Sequence, residues 1–268
     1  MLLGSSLGAV EAAFAANEGV LVSAFGTVRA PSEFRASGKF SETSIGKSGN
    51  SHEPNQSLPA TKCRYKKLRI IAVDAGHGGE DEGTIAPSNK LKEKTLTLDL
   101  CLRIARLLEE SEYKVILVRQ RDEKIPLLER ARIANLGHAD IFVCIHFNAA
   151  PTVTASGIET FILPPSHSGP ANGQPDDAVP GNAFDGLNAF FGHCLQSSIV
   201  EELQAVDRGV KQYSFTVLRD LQCPGALVEC GFLSNASEAA RIASVAHRDR
   251  LAQAIVAGIR KFDATVSR

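Results

Sequence analysis

From Lys67 onward the chain alternates short apolar runs with longer stretches of helical period, and that alternation limits the folds open to it. "LRIIAV" (68–73) reads as a buried strand. Residues 93–110 carry Leu96, Leu100, Ile104, Leu107 and Leu108 on one helical face. "YKVILVR" (113–119), "DIFVCI" (140–145), "GIETFIL" (157–163), "FTVLR" (215–219) and "GALVEC" (225–230) read as further strands. "IPLLERARIANL" has Pro126 at a helix start and Gly137 at its close. A helix is predicted over about 187–206, another starts in "NASEAARIAS", and Leu251, Ile255, Ile259 and Phe262 mark the last. Strands alternating with helices imply an α/β layered domain whose sheet is covered on both faces.

The first part of the 268-residue chain is different. Residues 17–66 are rich in Ser, Gly, Asn and Lys, show no sustained period, and read as a flexible linker. Before them, "MLLGSSLGAVEAAFAANEG" holds the A-x-A pattern Ala13-Phe14-Ala15, so 1–16 is a candidate signal peptide. It lacks Lys or Arg near Met1, and Glu11 interrupts it; export to the periplasm or cell envelope is the expectation. That leaves 67–268 as the folded domain. A net charge of −1 gives a nucleic-acid role no electrostatic support. No apolar run approaches the roughly 18–20 residues that span a bilayer. Of six cysteines, Cys101, Cys144 and Cys230 lie in apolar runs, where buried thiols are the usual outcome, and no disulfide framework is indicated.

Strand ends are where α/β domains build sites. "VDAGHGGEDEG" (73–83) places one histidine, four glycines and four acidic residues directly after the first strand. It lacks the Lys-Ser/Thr of a phosphate loop, and Asp81 replaces the third glycine of a dinucleotide loop. His77 follows this strand, His146 follows "DIFVCI", and Glu229 ends "GALVE". Glu93 opens the first long helix. Taken singly, each histidine has an ordinary structural role, and Glu93 an ordinary place in a helix dipole. Glu229 is the odd one, because a carboxylate in an apolar strand is costly unless paired or near a metal. Two histidines and a glutamate are the donor set of a catalytic zinc site with an open fourth position, and a further carboxylate would be its general base.

The pieces "VDAGHGGEDEG", "LKEKTLTLDLCLRIARLL", "VILVRQRDEKIPLLERARIAN", "ADIFVCIHFNAAP", "GIETFIL", "DRGVKQYSFTVLRD" and "ALVECGFLSNASEAARI" together resemble the zinc-dependent N-acetylmuramoyl-L-alanine amidases of the amidase type 3 cell-wall hydrolase family. They cover nearly all of 67–263 in family order. The resemblance implies a three-layer α/β domain with a mixed, mostly parallel sheet of about six strands. It implies one Zn2+ per chain, held by His77, Glu93 and His146, with Glu229 as the catalytic carboxylate. The substrate would be peptidoglycan or a muropeptide, cut between N-acetylmuramic acid and L-alanine, in cell-wall remodelling or daughter-cell separation with divisome partners. Asn148 and Arg208 are candidates for the substrate side, though Arg208 also suits a turn. The family usually has Pro at Ala75, a small residue at Phe147 and an aliphatic one at Cys230, and Phe147 is expected to narrow the groove.

Some relatives carry, near 164–186, an inhibitory helix whose carboxylate blocks the zinc. Here the segment is short and rich in Pro and Gly, so an open cleft is expected, with Asp176, Asp177 and Asp185 as the carboxylates that could still block it. Three rival readings remain, one of them a zinc exopeptidase on a similar fold, which product analysis separates because an amidase frees intact stem peptide from the glycan. Ser44/Lys47 and Ser111/Lys114 match the loose S-x-x-K pattern of serine D,D-carboxypeptidases, but no K-T-G accompanies them. A non-catalytic peptidoglycan-binding module would be expected to have lost a ligand or Glu229, and all four are present.

Overall fold

A computed structural model describes residues 65–168 and 177–267. The candidate signal peptide, most of the linker, Cys63, Ser44/Lys47 and Asp176 lie outside the described residues. Among the described residues six strands form one sheet: β1 (Ile70–Ala75), β2 (Lys114–Leu117), β3 (Ile141–Asn148), β4 (Ile158–Ile162), β5 (Asp207–Gln212) and β6 (Gly225–Phe232). Their spatial order is β2-β1-β3-β6-β4-β5. All neighbours run parallel except β4 and β6, so the sheet is mixed and mostly parallel, as expected.

Strand alternation divides the core in two. Ile71, Val73, Ile141, Val143, Ile145, Ala226 and Val228 face one side. They meet α1 (Glu93–Glu109), α3 (Asp185–Leu203), α5 (Ala236–Ala243) and α6 (Val245–Val266) there. Ala72, Phe142, Cys144, Phe161 and Leu227 face the other side, against α2 (Leu127–Leu136) and the single turn α4 (Thr216–Arg219). The result is three layers, with β1, β3 and β6 buried on both faces, which is why their sequences read as continuous apolar runs. The helix ends follow local chemistry: Pro126 caps α2 at its start and Gly137 at its close, and Asn235 Oδ1 accepts the backbone N–H groups of Ser237 and Glu238.

Three expectations change. "FTVLR" is not a strand: Thr216–Arg219 is a helical turn that buries Val217 and Leu218. An apolar run this short has no period long enough to tell strand from helix. The sixth strand is instead the polar Asp207–Gln212, an edge strand whose charged side chains suit a position open to water. Phe147 does not narrow the groove. It is one residue beyond His146, so the strand pleat turns it to the opposite face, where it is 1% exposed in the α1 side of the core.

Two bulges interrupt the sheet. Between β3 and β6 the register moves from His146↔Glu229 to Asn148↔Phe232, two residues on β3 against three on β6. Between β4 and β5 it moves from Ile158↔Asp207 to Thr160↔Val210, again two against three. Each inserts one residue and re-aims the side chains beyond it.

Candidate metal centre

The C-terminal ends of β1, β3 and β6 lie side by side, and the candidate site is built on them. β1 ends at Ala75, and Gly76 continues the ladder by donating its N–H to the Ile145 carbonyl. The chain then reverses with His77 at φ +61°. Gly76 has no side chain for a close reason: a Cβ there would stand 2.3 Å from His146 Cε1. Gly83 closes the same loop against Glu93 Oε2 and His77 Cδ2, each 2.7 Å from where its Cβ would be. The glycines of 73–83 let the backbone pass beside two imidazoles.

Glu93 enters from the start of α1 and is buried. Its Oε1 lies 3.1 Å from His77 Nε2 and 3.1 Å from His146 Nδ1, and it accepts the Phe147 N–H at 2.9 Å. Its Oε2 accepts the Thr84 N–H. The two rings meet edge to face with centroids 4.8 Å apart. One donor atom from each of His77, Glu93 and His146 fits within 4.8 Å of the other two, close enough to share one ion. His77 Nδ1 lies 2.9 Å from Asp81 Oδ1, which fixes the ring and leaves Nε2 facing the shared centre.

Electrostatics favour the charged form of His77 and the neutral form of His146. Burial pulls the His77 imidazolium down, but Glu93 and Asp81 outweigh it and hold its pKa up at about 10. His146 moves the other way, lowered by burial and then by the charge on His77. Desolvation would raise Glu93, yet the two imidazoles prevail and keep its carboxyl below the ordinary range. Positive charge is thus favoured at the point where a metal would bring its own. Metal binding needs both rings neutral, so it must expel the His77 proton.

Glu229 stands beside His146 in the β3–β6 register, so adjacent-strand spacing of roughly 4.8 Å puts it next to the cluster. It is buried, and its Oε2 is the one buried side-chain oxygen or nitrogen without a hydrogen-bond partner among the described residues. Burial, then Glu93 and Glu159, push its carboxyl well above the usual range. A buried acceptor with nothing to accept costs on the order of 1–3 kcal/mol. The fold tolerates that cost at this site.

Other expected residues are elsewhere or differently engaged. Asn148 and Arg208 both bind Glu159, a buried carboxylate directly opposite Glu229 on β4 that the pattern reading passed over. Asp185 accepts the Ser166 N–H and an Asn182 side-chain N–H, which anchors the start of α3. Among the described residues of 164–186, only the turn Pro180–Phe184 and the start of α3 are helical. Ser111 donates its hydroxyl to the Leu107 carbonyl at the end of α1, and Lys114 is exposed at the start of β2. No pair for serine catalysis forms there. Cys101, Cys144, Cys194, Cys223 and Cys230 are all buried free thiols.

Two arginines were also missed. Arg119 donates to the Ala75 and Gly76 carbonyls and Arg130 to the Ala75 and His77 carbonyls, each at 2.8–2.9 Å. Arg130 also pairs with the fully buried Asp74. Every carbonyl of the reversal at 75–77 is thereby held from below. A charge inside "VILVR" and another inside "LLERARI" were the only sequence signals.

Two imidazoles at the strand ends of a covered α/β sheet and a carboxylate from the start of a helix, with a lone buried acid beside them, fit the donor set of a metal-dependent hydrolase. The comparison with known proteins narrows the class. The pattern of the N-acetylmuramoyl-L-alanine amidase family, Amidase_3, matches residues 71–261, and the chain belongs to that family. Protein YqiI of Bacillus subtilis is 34% identical over 192 residues, 71% of this chain and 83% of its own length. A putative N-acetylmuramoyl-L-alanine amidase of Buchnera aphidicola is 28% identical over 208 residues, 72% of this chain and 95% of its own. The crystal structure of the Clostridium difficile 630 amidase is 33% identical with TM-score 0.64, covering 74% of this chain and 97% of that one. The chain is an enzyme of this amidase class, acting on the peptidoglycan amide bond.

The crowding at Gly76 predicts the first test. Gly76→Ala should weaken metal binding about 10–100-fold, the usual result of disturbing a ligand's support. Calorimetric zinc titration checks it; unchanged affinity would mean that the His146 ring is free to move aside.

Proposed function

We propose that the chain is a zinc amidase in which His77, Glu93 and His146 hold the ion and Glu229 moves the proton. The observation that carries this reading is the convergence of three donors within 4.8 Å beside a buried carboxyl oxygen that lacks a partner. Nitrogen and oxygen donors in this ratio suit zinc with one position left open. Bound there, zinc would supply Lewis acidity at the scissile carbonyl and water activation near neutral pH. Glu229 takes the proton from the attacking water and returns it to the departing L-alanine nitrogen, as the new C–O bond forms and the C–N bond breaks. Asp81 keeps the His77 ring from turning.

Residues 67–268 make up the catalytic domain in this reading, with 17–66 as a linker and 1–16 as a signal peptide. The substrate lies outside the membrane, which supports a periplasmic or secreted location. No described helix is long and apolar enough to cross a membrane. Cell-wall remodelling or daughter-cell separation, with divisome partners, is the corresponding role. We read the cleft as open without an activator: among the described residues Asp185 is committed to its turn and Asp177 is exposed.

The test is digestion of purified peptidoglycan followed by mass analysis. Wild type should release intact stem peptides, a chelator should abolish release, and zinc should restore it. Glu229→Ala should release none. Free D-alanine, cut glycan or indifference to chelator would each overturn the assignment. A basal rate that rises many-fold with an added activator protein would overturn the open cleft.

A further inference from the structure

We propose that Arg208 and Lys211 on β5 form a subsite for a carboxylate on the leaving side of the substrate, the α-carboxylate of the second stem-peptide residue. The proposal rests on the zinc-amidase reading and adds what the cleft recognises.

The β4–β5 bulge brings the two cations together. Residues 208 and 211 are an odd number apart, so a regular strand would send them to opposite faces. The extra residue at this point of β5 cancels that alternation. Gly209, at φ +80°, occupies the irregular position. Arg208 and Lys211 therefore turn to the same face and meet on one atom, Glu159 Oε2.

That meeting leaves charge to spare. Glu159 is one buried carboxylate with two cations, and its other oxygen is already taken by Asn148 Nδ2. One cation would neutralise it. Arg208 uses only Nε, at 2.8 Å, and its guanidinium carbon stacks 4.8 Å from the centre of the Phe232 ring. The stack and the single bond hold the plane while both terminal NH2 groups stay unengaged among the described residues, the fork that grips a carboxylate with two bonds. The side chains are 34% and 41% exposed, so a ligand can reach them.

Position selects which carboxylate. His146, Glu229 and Glu159 stand in one row across β3, β6 and β4, with β5 next. The cationic heads reach back from β5 to Glu159 on β4, so they stand one strand spacing, roughly 5 Å, from Glu229. At about 3.3–3.6 Å per residue, a peptide leaving from Glu229 covers that distance within its first two residues, so its second residue, not its fourth or fifth, meets the cations. In the stem peptide that residue is a γ-linked D-glutamate, whose α-carboxylate is free or amidated.

The experiment is calorimetric binding to the zinc-loaded full chain carrying Glu229→Gln, so that ligand is not consumed. The ligands are N-acetylmuramoyl-L-alanyl-D-glutamate and its D-isoglutamine counterpart. The acid is expected to bind about 10–100-fold tighter than the amide, the range for a charged hydrogen-bonded contact. Arg208→Gln and Lys211→Gln should each shrink that ratio toward one, and Arg208→Lys should fall between. Glu159→Gln, which frees both cations without emptying the site, should widen it; this variant still reports if the Gln variants misfold. Equal affinity for acid and amide, a ratio that survives both Gln changes, or no binding of either ligand overturns the proposal. Peptidoglycan digestion by wild type in parallel separates the two readings. Cleavage without discrimination removes the subsite alone; discrimination without cleavage removes the amidase assignment alone.

Discussion

Glu229→Gln is expected to lower kcat about a hundred- to ten-thousand-fold, the usual contribution of a positioned general acid–base group, while zinc still binds. The amide keeps the shape and hydrogen-bonding reach of the carboxyl but cannot take up a proton. Since Glu229 is not in the donor set, metal content should stay at the wild-type level. The same substitution should stabilise the metal-free protein at neutral pH. Burial holds the Glu229 carboxyl protonated well above the ordinary range, so the folded chain retains a proton that the unfolded chain has released. Between an unfolded value of about 4.3 and the raised folded value, the native state binds more protons, so stability falls as pH rises. Gln has no such term. Thermal unfolding of the chelated proteins should show the variant gaining on wild type between pH 4 and pH 7. A lost activity together with a lowered neutral-pH stability would mean that Glu229 supports the fold instead of the chemistry.

What could be read from the chain, and what could not, depends on how local the cause is. β1, β3 and β6 are buried on both faces, so their runs are apolar without interruption, and a His or Glu at their ends stands out. His77, His146 and Glu229 were legible for that reason, whereas Glu93 opens α1 and drew its role as a ligand only from the family resemblance. Glu159 had the same signal, a carboxylate inside "GIETFIL", and its meaning appears only when β4 is laid antiparallel against Glu229. Arg208 and Lys211 depend on a one-residue bulge that leaves only Gly209 as its trace. β5 was missed because an edge strand lacks the apolar run. Phe147 was misjudged by treating a sequence neighbour of His146 as a spatial one, where the pleat sends them apart.

Arg130→Met carries the largest expected loss of stability, about 3–5 kcal/mol, because it strands a charge in the interior. Asp74 is fully buried at the end of β1, held by Arg130 Nη1 at 2.8 Å and by the weak thiol donor of Cys144. Without the guanidinium, that carboxylate keeps its desolvation cost and loses its counter-charge. Against a typical total of about 5–15 kcal/mol, urea unfolding should show a large shift of midpoint. Adding Asp74→Leu should return much of the loss, since two apolar groups can replace a buried pair at little cost. The double change should not restore the metal site. Arg130 also donates to the Ala75 and His77 carbonyls, and neither Met nor Leu can do that. His77 is presented by a backbone at φ +61°, a conformation non-glycine residues adopt at a cost and keep only when surroundings hold it. Zinc affinity should therefore stay about 10–100-fold weaker in the double variant, even as folding recovers. Recovery of both together would show that Arg130 acts through its ion pair alone, with Arg119 sufficient to hold the turn.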